Sequence, residues 1–81
     1  MVTRRIVLKL VKPAFTRTVT MELDEEEIYA DVLTERASGQ SRRTDTLMAN
    51  GPEAIALLFD ERVKQHIGQG YQIVSDERPG D

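Results

Sequence analysis

Residues 50–71 read Asn50-Gly51-Pro52-Glu53-Ala54-Ile55-Ala56-Leu57-Leu58-Phe59-Asp60-Glu61-Arg62-Val63-Lys64-Gln65-His66-Ile67-Gly68-Gln69-Gly70-Tyr71. Ile55, Leu58, Phe59, Val63 and Ile67 recur at three- and four-residue steps, with Asp60, Glu61, Lys64 and Gln65 between them, so the stretch predicts an amphipathic helix with one apolar side. Asn50 can accept from the free amides of the first turn. Pro52 sits where a missing N–H costs nothing, and Glu53 completes the spacing of a capping box. Gly68 suits a left-handed C-cap and Gly70 a second turn residue. Such a helix has to lie on something, and the rest of the chain supplies strands.

Residues 3–11 place Ile6, Leu8 and Leu10 on one face and Val7, Lys9 and Val11 on the other. Lys12-Pro13 ends that run, because proline donates nothing to a ladder. From Phe15 to Leu23, Phe15, Val19, Met21 and Leu23 share a side with Arg17, opposed by Thr16, Thr18, Thr20 and Glu22, as in a half-buried antiparallel strand. Asp24-Glu25-Glu26 predicts a turn, with a third strand over 27–33 in which Ile28, Ala30 and Val32 oppose Tyr29, Asp31 and Leu33. Residues 34–39 predict a loop and 40–48 a polar fourth strand toward a sheet edge. Tyr71-Gln72-Ile73-Val74 can return as a fifth strand, and residues 76–81 are expected to form a flexible tail after a single domain over 1–75. The expected fold is α+β: a mostly antiparallel sheet of four to five strands with one helix packed on one face.

The 81 residues allow one domain, and 40% hydrophobic with 31% charged residues is ordinary globular usage. The apolar run at the start is interrupted by Lys9, so it reads as a strand and not as an export signal or membrane anchor. With no cysteine there is neither a disulfide nor thiol-metal chemistry, in keeping with a cytoplasmic protein. A net charge of -3 opposes general attraction to phosphate backbones. Five of the six residues from Glu22 to Glu27 are acidic. Hard cations need oxygens converging in space, which consecutive turn residues rarely provide, so that run reads as a solvated turn and no metal is expected.

No phosphate loop, dinucleotide fingerprint or metal-ligand spacing occurs, and no cofactor is expected. His66 is the only histidine. It falls on the apolar stripe near the helix end, and a general-base or metal role would require partners. The three serines lie in predicted loops or strand ends, and no nucleophile–base–acid set is recognisable. The chain is expected not to be an enzyme, a small hydrolase or ligand-binding protein using His66 being the remaining catalytic reading. Arg36, Arg42 and Arg43, with Gly39 and Gln40 in the loop between them, are the candidate nucleic-acid or anion contacts. Alternation in a strand sends Arg42 and Arg43 to opposite faces, so only one can join Arg36. Arg4 and Arg5 could extend that patch if the first strand lies nearby. Val7, Val11, Tyr29 and Leu33, on the sheet face away from the helix, are the candidate protein-interaction surface.

The order Gly39-Gln40, Ser41-Arg42-Arg43-Thr44, Glu53-Ala54 and Gly70-Tyr71 resembles a WGR domain. Members of that family have a strand-rich half, a Gly-Gln loop followed by basic and Thr residues, a helix with Glu-Ala near its start, and Gly-Tyr just past its end. The match spans about half the chain, with a one-residue slip in the helix, and His66 stands near a position the family usually makes basic. The naming tripeptide would fall near Val32-Leu33-Thr34, and this chain has no tryptophan. The resemblance implies a non-catalytic macromolecular binding module, here of a bacterial protein. In the WGR segments of nuclear poly(ADP-ribose) polymerases the Trp and Arg help contact DNA and neighbouring domains. Without them a stacking surface and a bidentate phosphate ligand are missing. A protein partner or self-association is therefore the leading expectation, and weak nucleic-acid binding through the Arg patch around Gly39-Gln40 is the alternative.

Overall fold

Alternation of apolar and polar residues makes one face of each early strand sticky, and the chain satisfies those faces by lining them up across a sheet. The structure, a computed structural model, describes residues 1–37 and 41–79. Its elements in chain order are β1 (Arg4–Lys12), β2 (Phe15–Asp24), β3 (Tyr29–Arg36), β4 (Arg42–Met48), α1 (Pro52–Gly68) and β5 (Gln72–Glu77). They form one five-stranded antiparallel sheet in the order β4-β3-β2-β1-β5. Consecutive strands β1 to β4 are neighbours, as short turns require, and β5 adds at the free edge of β1.

The register stacks like with like. Ile6 pairs with Met21 and Met21 with Val32, Leu8 pairs with Val19, and Leu23 pairs with Ala30. The helix lies over these rows and inserts Ile55, Phe59 and Val63. Ile6, Leu8, Val19, Met21, Ala30, Ile55 and Phe59 are completely buried, and Tyr71 closes the core beyond the helix end. Leu58 and Ile67, expected in the apolar stripe, remain 38% and 48% exposed. A straight helix on a sheet presses down one ridge, here the i, i+4 row 55-59-63. Leu58 and Ile67 sit about 100° and 80° round the axis from Phe59, one on each flank. No helix among the described residues is long and apolar enough to cross a membrane.

The helix ends differ from expectation by one or two residues. Its N-cap is Gly51, extended at φ -174°, with no side-chain cap bond, so Asn50 does not cap. Pro52 takes the first helical position as expected, and that makes the residue just before it the cap. At the other end Gly68 stays helical and Gly70 takes the left-handed conformation at φ 103°. The Tyr71 N–H donates to the His66 carbonyl (3.1 Å) and the Gly70 N–H to that of Ile67 (3.0 Å), the pair of bonds that defines a Schellman stop.

The β2–β3 turn is longer than the three residues expected, and the third strand starts at Tyr29, not at 27. Asp24 causes this. Its Oδ1 accepts the backbone N–H groups of Glu26 (3.1 Å) and Glu27 (3.0 Å), holding them out of the ladder, and Ile28 then turns left-handed at φ 58°. Asp24 Oδ2 also receives the Met1 ammonium at 2.6 Å. Residues 34–36, expected in a loop, instead continue β3 opposite Val19, Thr18 and Arg17. β4 begins at Arg42, and the expected start at Gln40 lies outside the described residues. β4 is an edge strand, as its polar sequence requires. The fifth strand runs on to Glu77, so residues 76 and 77, expected in a flexible tail, are part of the sheet. Asp76 and Glu77 are held there by Arg4 (3.2 Å) and Arg5 (3.8 Å).

Candidate functional site: a basic pocket and an open sheet face

Arg17 interrupts the apolar face of β2, and Arg36 stands directly opposite it on β3. Like charges facing each other across a ladder repel, so this pair costs stability where it sits. Both guanidiniums lie over the ring of Phe15, at 5.1 Å for Arg17 and 5.3 Å for Arg36. Stacking engages the flat face of a guanidinium and leaves its in-plane N–H groups for other acceptors. Among the described residues neither has a carboxylate in ion-pairing range, whereas Arg43 has Asp45 at 3.3 Å, Arg42 has Glu35 at 3.8 Å and Arg62 has Asp45 at 3.9 Å.

These groups open into one concavity of about 320 Å³ where β2, β3 and β4 pass the C-terminal end of α1. Arg17, Arg36, Arg43, His66, Gln69 and Tyr71 contribute to its wall, together with Glu35 and Asp45. His66 Nδ1 stands 2.8 Å from the Arg62 carbonyl oxygen. A carbonyl only accepts, so Nδ1 carries the proton and Nε2 is the ring nitrogen left for other contacts. The ring meets Tyr71 edge-on, with centroids 5.1 Å apart. The helix carbonyls of Gln65, His66 and Ile67 already receive the N–H groups of Gln69, Gly70 and Tyr71, so the arginines are not consumed in capping the helix.

Of the residues singled out in the sequence, Arg36 and Arg43 come together here. Arg42 points to the opposite side of the sheet, as strand alternation requires, and Gly39 and Gln40 lie outside the described residues. Arg4 and Arg5 do not extend the patch: Arg4 is bonded to Asp60 and Asp76, and Arg5 to Glu22. Arg17, Gln69 and Tyr71 were not anticipated as site residues. The available signal was a single charge breaking the apolar face of β2, but its meaning depended on which strand paired with it.

Among the described residues nothing covers the opposite face of the sheet. Register places Val7, Thr20, Leu33, Thr44 and Ser75 in one uncharged row across all five strands. The row spans about 19 Å at ~4.8 Å per strand. On one side of it Thr46, Asp31, Glu22, Arg5 and Glu77 form a row whose charges are satisfied by Thr46–Asp31 (2.9 Å) and Arg5–Glu22 (2.6 Å) bonds. Val7, Leu33 and Tyr29 are half-buried by their neighbours and Val11 is 70% exposed. The four do not form one patch: Tyr29 lies four residues along β3 from Leu33, and Val11 four along β1 from Val7.

No group of three His, Cys, Asp or Glu side chains among the described residues is placed to hold a metal ion. Comparison of this chain with protein-family models, with curated proteins and with solved structures gave no match.

Proposed function

We propose that this chain is a non-catalytic, WGR-like interaction module that docks on a protein partner through the sheet face its helix leaves open. The observation that carries the reading is the uncharged row Thr44–Leu33–Thr20–Val7–Ser75, bordered on one side by a row in which Asp31 and Glu22 already accept side-chain hydrogen bonds. A flat strip of this kind can be desolvated at low cost, while the charged row beside it, three carboxylates to one guanidinium, keeps it soluble until a partner arrives. The WGR-like plan is supported by the order of parts: a basic strand, then a helix with Glu53-Ala54 in its first turn, then Gly70-Tyr71 just past its end.

Affinity capture with the wild type and with Leu33→Arg tests this. The variant puts a charge in the middle of the strip and is expected to keep its fold, by circular dichroism, and to lose the captured partner. Sedimentation at rising concentration separates a partner from a second copy. A chain that stays monomeric and captures the same proteins with or without Leu33→Arg would remove the reading.

The gathering of Arg17, Arg36 and Arg43 in one concavity favours a second reading, weak nucleic-acid binding. Titration with duplex and single-stranded DNA at two salt concentrations checks it. Phosphate contacts make affinity fall steeply with salt, and no binding at low salt ends this reading.

A further inference from the structure

We propose that the concavity at the end of α1 is a receptor for a phosphoserine or phosphothreonine side chain of a partner protein, held by Arg17, Arg36 and Arg43. It lies on the other side of the sheet from the open face and shares with that reading only the idea of a protein partner.

Charge matching selects the ligand. On the helix side of the sheet four guanidiniums, those of Arg17, Arg36, Arg43 and Arg62, meet the one carboxylate of Asp45, because Arg42 and Glu35 pair on the far side. The two arginines without a carboxylate are neighbours across a ladder, so their charges add at one place. A carboxylate brings one charge and two oxygens. A phosphomonoester brings roughly -1.5 to -2 and three strong acceptors at neutral pH, which matches two adjacent forks. Both guanidiniums already lie against Phe15 before any ligand arrives, so less side-chain freedom is left to lose on binding.

The surroundings decide what carries the phosphate. A nucleic-acid strand presents a phosphate at every step and needs a positive track leading away from the first contact. Here the Asp45 carboxylate stands on the wall, and the chain as a whole is acidic at -3. Next to the basic concavity, sharing Arg36, is a smaller one of about 160 Å³ lined by Ala14, Phe15, Thr16 and Ala37. It suits an aliphatic side chain beside the phosphorylated residue.

The test uses the intact chain with four probes: a degenerate phosphoserine peptide library, the same library with plain serine, inorganic phosphate, and a short single-stranded oligonucleotide. The phosphoserine library is expected to bind about tenfold or more tighter than its serine counterpart, the scale of one charge-assisted bond. Inorganic phosphate is expected to shift the Nε–H resonances of Arg17 and Arg36. Arg36→Gln abolishes the preference, Arg17→Lys weakens it by keeping charge and losing the fork, and Arg42→Gln on the far face leaves it unchanged. Equal binding of the two libraries, preference retained in Arg36→Gln with a native spectrum, or tighter binding of the oligonucleotide would each overturn the proposal. Should Arg36→Gln fail to fold, the absence of phosphate-induced shifts at Arg17 and Arg36 in the wild type would overturn it alone. Because Leu33→Arg leaves the concavity untouched, loss of the sheet-face reading and loss of this one are read separately.

Discussion

Asp24 organises one end of the molecule from a nearly inaccessible position, its side chain only 4% exposed. One oxygen takes the Met1 ammonium and the other two turn amides, so neither carboxylate oxygen is left without a partner. The ammonium, then the backbone N–H groups of Glu27 and Glu26, hold its pKa below the usual carboxylate range. A pKa depressed on folding adds stability that is complete above the unfolded value and is lost as pH falls through the folded one. Thermal midpoints measured from neutral pH downward should therefore fall from about pH 4. In Asp24→Asn the neutral-pH midpoint should be lower and this acid slope shallower. An unchanged slope would show that Asp24 does not carry it. The like-charged Arg17–Arg36 pair is the opposite kind of residue, one that the fold tolerates without a satisfied partner among the described residues. Both effects begin with short polar motifs in the sequence. Asp24 could be read as a turn former, but its bond to a residue 23 positions away could not.

At the level of the helix, the apolar pattern overstated the contact. Ile55, Phe59 and Val63 hold α1 to the sheet. Arg4 reinforces that seam from β1, lying 5.6 Å from the Phe59 ring and bonded to Asp60 of the helix (2.8 Å) and Asp76 of β5 (3.2 Å). Phe59→Ala should cost about 3–5 kcal/mol, since it empties the middle of the buried ridge that the helix presses onto the sheet. Leu58→Ala, one residue away but on the flank, should cost no more than about 1 kcal/mol. Urea unfolding of the two variants measures the difference. Equal losses would mean that the helix rests on a broader face than the buried row.

For the molecule as a whole, the sheet is a gradient of support. β1 and β2 have α1 or its partner residues above and a strand on each side, while β4 and β5 each have one free edge. β5 is also short and broken by a register shift beside Val7 and Leu8, and it carries Ile73 and Val74 at 44% and 59% exposure. Amide exchange should be slowest around Leu8, Met21 and Val32 and fastest, among strand residues, in β5. Exchange in β5 as slow as in β2 would indicate that its free edge is covered in solution. The same architecture separates the two candidate surfaces. One lies at the foot of the helix and the other on the bare face, so the two are on opposite sides of the sheet.

The amino-acid order by itself determined the elements, their alternating faces, the single helix and the α+β class, because periods of two and 3.6 are written residue by residue. It also placed Arg42 and Arg43 on opposite sides of a strand. Turn lengths were less legible: Asp24 and Gly70 recruit backbone groups only once the flanking strands are in place. Pairing was decided in three dimensions alone. That β5 returns beside β1, that Arg17 meets Arg36 over Phe15, and that the helix terminus closes a basic pocket around them all require bringing distant residues together. No local pattern encodes those distances, since which strand lies beside which follows from the free energy of burying every apolar face at once.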